Sequence, residues 1–400
     1  MYKAEMDGCS YALKWYKIGE FLENIDKKAF RANLAKKIEK GPPAQQFLWP
    51  KMLTQEINGA FGYAMDLYPT GYISFEDYYW GKAYFPSWLS IIETALSLVE
   101  GFMGLHRKGY SYQDLNHGGF RANPAVGGTK RVLICDTDNV APDGVNLGIQ
   151  GFRGFMAPEV TTQKSLPNTL TDLHSLAVVL FGLFFRGHPL EGRHTLEYAA
   201  LCTPGIDRII YGSHPLFCFD PTDARNRPDP VVHKNSVLYY WPIFPKEFKE
   251  LFVKAFTLGL FDPNKRVLAA DWRKALINLR SSIVYIKKGG VLHEQFCSLA
   301  SDAMPPGCLK LRFADGQMAA LSHGSRLYAF HTAKDAMAYW DVTASVAMYE
   351  NRLLMRNETD KVWRFSLPNG TSEQVAPQGI LPLAPGVGIN FAGTEAAVSI

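Results

Sequence analysis

The 400-residue chain has few cysteines and no long hydrophobic run. Its six cysteines are scattered and include no C-x-x-C pair, which argues against a metal site and against a disulfide framework. We expect reduced thiols in a cytoplasmic protein. The most apolar stretch, Leu173 to Phe185, contains His174 and is too short to span a membrane, so it predicts a buried helix. The polar N-terminus lacks the apolar run of a signal peptide.

The chain also lacks a strong charge bias. Its formal net charge is +4, and no dense basic run indicates a nucleic-acid surface. The basic cluster of Lys36, Lys37 and Lys40 predicts a solvated helix face. Apolar residues make up 47% of the chain and charged residues 20%, which is enough for a sizeable core, and the length suits two domains.

Hydrophobic periodicity predicts a sheet first and helices afterwards. Residues 2–6 and 11–15 alternate around Asp7-Gly8, a strong hairpin signal. Further strands are expected at Trp49–Ile57 and Gly62–Leu67. Apolar positions at helical spacing predict helices over roughly 26–39, 87–107, 171–185, 245–258 and 269–283.

From about residue 309 the sequence consists of short alternating runs broken by Gly, Pro, Asn and Asp, which predicts an all-β sandwich of about 90 residues. Met304-Pro305-Pro306-Gly307 is typical of a linker. The chain is therefore expected to be α+β, with a β-rich segment over 1–68, a helical segment over 69–284, a linker over 285–308 and a β-sandwich over 309–400.

Several acidic and basic residues occur in an order that suits phosphoryl transfer. That chemistry needs a Lys on the phosphates, carboxylates for Mg²⁺ and an acid positioned at the nucleophile. Lys14 lies on the second strand of the predicted hairpin. Asp114 lies in LHRKGYSYQDLNHGGF, residues 105–120, after a long helix. Asp136 comes 22 residues later, in VLICDTD, after a strand.

Three later segments complete the set. They are Ala157-Pro158-Glu159, the run LTDLHSL that contains Asp172, and Asp262 to Arg266. In this order and spacing the segments resemble the V-A-I-K, H-R-D-x-x-x-x-N, D-F-G, A-P-E and D-P-x-x-R motifs of protein kinases over residues 1 to about 284. The resemblance is closest to bacterial kinase-like proteins with a D-V-N-Q-S-N catalytic loop, D-T-D in place of D-F-G, and FLWP, here Phe47–Pro50.

The resemblance implies a role for each residue. Lys14 would hold the α- and β-phosphates of ATP, and Asp114 would orient the hydroxyl of a protein substrate. Mg²⁺ would bind Asp136, with Asp138 or Asn116 as further ligands. Three residues of the predicted hinge would meet the base, namely Met65, Asp66 and Leu67. Asp172 would brace the catalytic loop, and Arg266 would pair with Glu159.

The sequence departs from the family pattern in several places. The Gly-rich phosphate loop is missing, as if the chain began one strand late, and Gly119 replaces the metal-binding Asn, so we expect weak ATP binding. Gln113 replaces the Arg that pairs with an activation-loop phosphate. The helix Glu that should pair with the strand Lys is not evident, although Glu39 or Asn33 lies near the expected position.

Two functions are therefore compatible with the first 284 residues. One is a Ser/Thr kinase acting on a protein hydroxyl, and the other is a pseudokinase scaffold that binds a partner in phosphosignalling. No feature indicates nucleic acid, a membrane or an oligomeric state.

Residues 309–400 resemble a degenerate forkhead-associated domain through LLMRNETDKVW and the final strand-like runs. The family's phosphate-binding motifs are absent apart from a loose match at Gly324-Ser325-Arg326. This predicts a structural sandwich, with Asn357 as a turn residue.

Overall fold

The structure is a computed structural model that describes residues 1–16, 26–149, 151–199, 204–233, 236–301, 303–335 and 337–400. It is 34% helical and 25% strand, which confirms the mixed α+β composition. The chain forms two compact units. The first comprises residues 1–86, 93–242 and 249–273, and the second comprises 87–92, 243–248 and 274–400. Cys202 lies outside the described residues.

The predicted helices are present with small shifts in their ends, and several short ones accompany them. In chain order the α-helices are α1 Lys27–Lys40, α2 Phe75–Tyr79, α3 Trp88–Arg107, α4 Pro158–Thr161, α5 Thr169–Phe185, α6 Arg193–Ala199, α7 Pro204–Arg208, α8 Pro230–His233, α9 Ser236–Tyr240, α10 Lys246–Phe256, α11 Leu258–Phe261, α12 Ala269–Ser281 and α13 Ala329–Thr332.

The strands of the first unit are β1 Tyr2–Met6, β2 Cys9–Tyr16, β3 Met52–Leu53, β4 Phe61–Asp66, β5 Ile73–Ser74, β6 Tyr110–Ser111, β7 Phe120–Ala122, β8 Val132–Ile134 and β9 Ala141–Pro142. The predicted hairpin is confirmed as the antiparallel pair β1 and β2. Strands β4 and β3 extend it to a four-stranded sheet in the order β1-β2-β4-β3. The strand predicted over Trp49–Ile57 is reduced to β3.

Helix α1 packs Phe30 and Leu34 into one hydrophobic cluster with residues of β2 and β4. Asp26 caps its N-terminus by accepting a hydrogen bond from Ala29 N at 3.0 Å. Gly41 ends it with φ 70°, a conformation that glycine adopts without strain. The prediction of a solvated basic face was wrong for Lys37, which is fully buried.

Helices α3 and α5 supply much of the apolar interior of the first unit. The side chains of α5 are buried from Thr171 to Phe185, as its sequence predicts, and Asn168 and Thr171 form a reciprocal capping box at its start. Of the described residues, α3 alone is long and apolar enough to cross a membrane. However, 67% of its apolar window is buried within the structure, which is typical of a core helix.

The strands of the second unit are β10 Ile283–Lys288, β11 Val291–Phe296, β12 Leu309–Phe313, β13 Met318–Leu321, β14 Arg326–Tyr328, β15 Val342–Tyr349, β16 Arg352–Asn357, β17 Trp363–Ser366, β18 Ser372–Val375, β19 Ile380–Leu383, β20 Gly388–Asn390 and β21 Glu395–Ser399. Two antiparallel sheets, in the orders β13-β12-β21-β20-β17-β18 and β14-β15-β16-β19, contribute to one hydrophobic core. The linker expected over 285–308 was wrong in its first half, since β10 and β11 form a hairpin there.

Asn357 does more than form a turn. It ends β16 with no exposed surface, and its Nδ2 donates to the carbonyl oxygens of Lys361, Val375 and Ala376 at 2.8–3.3 Å. Its Oδ1 accepts from the backbone N and hydroxyl of Thr359. A buried amide with every group paired fixes the connections between strands of both sheets.

Replacing Asn357 by Ala should lower the free energy of unfolding of the second unit by about 2–3 kcal/mol, because several buried backbone groups lose their partner. Hydrogen exchange of peptides from β15, β16 and β18, measured by mass spectrometry on the full chain, reports this loss. Asn369→Ala is the matched control, since Asn369 accepts one exposed bond from Thr371 N. Equal protection in the two variants would contradict the role of Asn357.

Candidate functional site

The carboxylate of Asp138 is fully buried and forms the centre of a polar cluster. Lys14 Nζ lies 2.9 Å from its Oδ2 and 3.0 Å from its Oδ1. The hydroxyl of Tyr16 donates to Oδ2 at 2.6 Å, and that of Tyr63 donates to Oδ1 at 3.2 Å. Strand pairing explains the arrangement. Tyr63 is the cross-strand partner of Lys14, and Tyr16 lies two residues beyond Lys14 on the same face of β2.

Charge pairing determines the protonation states in this cluster. Burial works to raise the pKa of Asp138, but Lys14 and the Tyr16 hydroxyl outweigh it, so the pKa falls below its ordinary value. Burial works to lower the pKa of Lys14, but Asp138 and then Asp136 raise it. Both groups are therefore charged at neutral pH. The pKa of Tyr16 is raised, first by burial and then by Asp138, so its hydroxyl stays a donor.

Asp136 is the more accessible of the two aspartates. Its side chain is 45% exposed, and its Oδ1 lies 3.4 Å from Lys14 Nζ. The backbone at Asp136 is left-handed, with φ 46° and ψ 42°, and a 3₁₀ turn over Thr137–Asn139 follows. This turn places Asp136 and Asp138 on either side of one ammonium group, so Lys14 bridges the two carboxylates.

Asp114 is held beside this turn by two amide side chains. Asn116 Nδ2 donates to Asp114 Oδ1 at 3.2 Å, and Asn139 Nδ2 donates to Oδ2 at 3.1 Å. Burial raises the pKa of Asp114 to about 6; the bond from Asn116 opposes this rise and the charge of Asp136 adds to it. The amide nitrogen of Asn116 thus holds Asp114, and its Oδ1 accepts a hydrogen bond from Gly118 N.

The backbone before Asp114 is fixed by Asp172 of α5. Its carboxylate accepts from Tyr112 N at 2.6 Å and from Gln113 N at 2.9 Å. His106 Nε2 lies 3.0 Å from the same carboxylate. Gln113 adopts φ 75°, an uncommon conformation for a residue other than glycine. Asp172 supplies the hydrogen bonds that hold it, as the resemblance implied.

Gln113 binds the segment that follows β9. Its Nε2 donates to Val145 O at 2.6 Å, and its Oε1 accepts from Asn146 Nδ2 at 3.1 Å. These bonds are neutral and form without a phosphate group.

Glu159 and Arg266, which the kinase resemblance pairs, form a bidentate ion pair. The two guanidinium nitrogens of Arg266 lie 2.8 and 2.7 Å from the carboxylate oxygens of Glu159. Arg266 is buried and also donates to Leu170 O and Gly259 O. The pair links α4 to the segment before α12.

The kinase resemblance implies a Glu on helix α1 that would pair with Lys14. The helix instead places Lys37 and Asn33 against the turn that holds Asp138. Lys37 Nζ donates to the carbonyl oxygens of Thr137, Asp138 and Val140 at 2.7–3.0 Å, and Asn33 Nδ2 also donates to Val140 O. The three acceptors match the three N–H groups of the charged form of Lys37. Burial lowers the pKa of Lys37 to about 7, and Asp138 opposes this shift.

Glu39 is therefore not the partner of Lys14. Its side chain is exposed, whereas the carboxylates beside Lys14 belong to Asp138 and Asp136. Gly119 is buried, and a Cβ there would lie 3.1 Å from Asn116 O, so a side chain would require the loop to shift.

The predicted hinge runs from a buried to an exposed position. Met65 is buried at the end of β4, and Asp66 and Leu67 are exposed. Asp66 pairs with Lys51 at 2.7 Å, so its carboxylate lies on the surface.

Four residues of the site escaped the sequence analysis, namely Tyr16, Tyr63, Lys37 and Asn139. For Tyr16 a signal existed, because it lies two residues after Lys14 in a strand. For the others the strand register and the position of α1 were needed. Among the described residues, no group of three or more His, Cys, Asp or Glu side chains is arranged to hold a metal ion.

A scan against models of known protein families and a search of curated proteins find no match to this chain.

Lys14→Met should lower the free energy of unfolding by about 3–5 kcal/mol at pH 7, because it leaves the buried carboxylate of Asp138 unpaired. Lys14→Met combined with Asp138→Asn should recover most of this loss. The difference in free energy of unfolding between the wild type and Lys14→Met should narrow as pH falls below about 4. The ionised carboxylate of Asp138, whose pKa is lowered, stabilises the wild type only until it is protonated. Urea denaturation across pH compares the wild type, Lys14→Met, Asp138→Asn and the double variant.

Lys51→Met is the control for this cycle. Lys51 pairs with Asp66, and both side chains are more than half exposed, so its loss should cost below about 1 kcal/mol. If the double variant were as unstable as the sum of the two single variants, Lys14 and Asp138 would not be coupled.

Proposed function

We propose that the first unit is a protein-kinase-like phosphotransfer module that uses ATP and Mg²⁺ and a protein hydroxyl as acceptor. The observation that carries the proposal is the convergence of Lys14, Asp136 and Asp114. Lys14 contacts Asp136, and Asn139 connects the turn that holds Asp136 to Asp114. A cation, a carboxylate and a second carboxylate of raised pKa are the groups that phosphoryl transfer needs.

Lys14 would bind the phosphates, and Asp138 would keep it in place. A flexible lysine in a phosphate site needs a carboxylate partner to fix its position. Asp138 supplies that charge here, supported by Tyr16 and Tyr63. This assignment differs from the metal role expected for Asp138, because Lys14 and the two tyrosines occupy both of its oxygens.

Asp136 is the residue that fits a metal ion best. It offers a half-exposed carboxylate, and Mg²⁺ in phosphate sites is commonly held by one or two carboxylates together with substrate oxygens and water. Bound Mg²⁺ would neutralise the charge that develops on the transferred phosphoryl group.

Asp114 would accept the proton of the attacking hydroxyl. A carboxyl with a pKa of about 6 is ionised at neutral pH and is a stronger base than an ordinary aspartate. Asn116 and Asn139 each donate to one of its oxygens and so fix its orientation. The acceptor hydroxyl would approach the oxygen lone pairs that these amides leave open.

A non-catalytic binding module is the second candidate, and one observation favours it. Two carboxylates already neutralise Lys14, and position 119 carries no side chain to hold a second metal. In that case the first unit would bind a protein partner in phosphosignalling. We propose the second unit, with its two sheets around one core, as the forkhead-associated-like domain of the protein.

Asp114→Ala and Asp136→Ala should each reduce phosphate transfer from γ-labelled ATP by at least about 100-fold, because one removes the base and the other a metal ligand. Transfer to the chain itself or to a generic protein acceptor is measured by scintillation, with labelled GTP as a second donor. Asp77→Ala, on the short helix α2, is the control.

Equal incorporation by the wild type and both variants would reject catalysis at this site. Absence of incorporation with all proteins and both donors would favour the binding module.

The transfer rate should fall about tenfold per pH unit below pH 6, following protonation of Asp114. Asn116→Ala should move this limb to higher pH. The hydrogen bond from Asn116 lowers the pKa of Asp114 in the wild type, so removing it raises that pKa. Asn123→Ala, which removes an exposed turn bond to Ala125 N, should leave it in place.

The same group predicts a stability effect that does not require activity. The unfolded carboxyl ionises near 3.8 and the folded one near 6, so the free energy of unfolding should decline as pH rises through this window. Asp114→Asn should remove the decline and be about 2–3 kcal/mol more stable than the wild type above pH 7. A variant no more stable than the wild type there would contradict the raised pKa.

A further inference from the structure

A guanidinium group lies at the base end of the proposed nucleotide site. Arg121, on β7, places its Cζ 4.7 Å from the centroid of the Tyr68 ring. Tyr68 follows the predicted hinge by one residue. Burial, and then the thiol of Cys135, the residue before Asp136, raise the pKa of the Tyr68 hydroxyl, and Arg121 opposes this rise.

The surroundings of this pair are apolar. Ala12, Met65 and Cys135 are buried in one cluster, against which Leu133 and Leu147 are packed as partly buried side chains. Ala12 precedes Lys14 by two residues, and Cys135 precedes Asp136. The apolar surface therefore adjoins the residues proposed to meet the phosphates, as a base-binding surface must.

Arg121 lies at the edge of this surface for a structural reason. Strands β7 and β8 pair with Arg121 opposite Leu133 and Phe120 opposite Ile134. Phe120 and Ile134 are buried, whereas Arg121 and Leu133 are only partly buried. Alternation along the strands thus directs Arg121 and Leu133 to the same face, where Tyr68 also packs.

A planar fork of N–H donors distinguishes the two purines. Guanine presents two acceptors, O6 and N7, which a guanidinium can bind together. Adenine presents N7 next to an amino donor, which a guanidinium opposes. Contact with the Tyr68 ring restricts the Arg121 side chain and so reduces the entropy lost on binding.

We propose that Arg121 is a specificity-determining residue that makes a guanine nucleotide the preferred ligand of this site. The proposal rests on the proposed function, in that the site must bind a nucleoside triphosphate. It departs from that proposal in one respect, since the donors of Arg121 replace ATP by a guanine nucleotide as the preferred ligand.

Calorimetry on the full chain with Mg²⁺ should give a dissociation constant for GTP at least about fivefold below that for ATP, the lower limit for one bidentate base contact. Arg121→Leu should abolish or invert this ratio. Arg121→Lys keeps the charge but loses the fork, so it should also reduce the ratio. Arg225→Leu, an exposed Arg paired with Asp223, is the control and should keep the wild-type ratio.

The outcomes separate this proposal from the one on which it rests. Equal affinities of the wild type for GTP and ATP would reject the role of Arg121 and leave a nucleotide site in place. Absence of binding of either nucleotide by the wild type and by Arg121→Leu would reject both. Equal tightening of both nucleotides by Arg121→Leu would show that Arg121 blocks the site, and would also overturn the proposal.

Discussion

The buried carboxylate of Asp138 is the constraint on which the arrangement of the site depends. A charge without solvent needs both a counter-ion and hydrogen bonds, and here Lys14 supplies the first and Tyr16 and Tyr63 supply the second. Since Lys14 and Tyr16 lie on β2 and Tyr63 on β4, satisfying one carboxylate fixes the turn 136–139 against the sheet. The more accessible Asp136 is positioned as a result.

The backbone of the same turn is held from a second direction. Lys37 and Asn33 of α1 donate to carbonyl oxygens between residues 137 and 140. Thr137 donates its hydroxyl to Leu48 O. Sheet, helix and the connection between them thus converge on four residues. Among the described contacts, Lys37 is the one side chain that donates to all three of the carbonyl oxygens of Thr137, Asp138 and Val140. A displacement of α1 would therefore move the turn that holds Asp136 and Asp138 through Lys37.

Local patterns in the sequence predicted the elements, and the resemblance to kinase motifs implied one long-range pair. Asp7-Gly8 indicated the hairpin, and the resemblance implied the ion pair of Glu159 and Arg266. The sequence did not predict which side chains are buried by the packing of one element against another. Lys37 reads as a surface residue in a basic run, and its burial follows only from the rotation of α1 against the turn.

Contacts between elements that are distant in sequence also explain the error over the partner of Lys14. A carboxylate was sought on α1 because the family pattern places one there, whereas the physical requirement is a carboxylate near the ammonium from any element. Asp138 meets it from the turn. The linker was misassigned for a related reason. The boundary was placed by the change of sequence pattern near residue 309 and by Met304–Gly307, whereas strand pairing shows that residues 283–296 form a hairpin.

Gln113 lies where the kinase resemblance leads one to expect an arginine, and this bears on how the proposed site would be controlled. An arginine beside a catalytic loop is an unsatisfied cation until an anion arrives, so phosphorylation of the neighbouring segment can change its position. Gln113 is already paired with Val145 O and Asn146 Nδ2 through neutral bonds. A phosphate would bring charge to a place where no new ion pair with Gln113 can form. The position of the 145–146 segment beside Gln113 is therefore set by neutral hydrogen bonds that form on folding and need no phosphate.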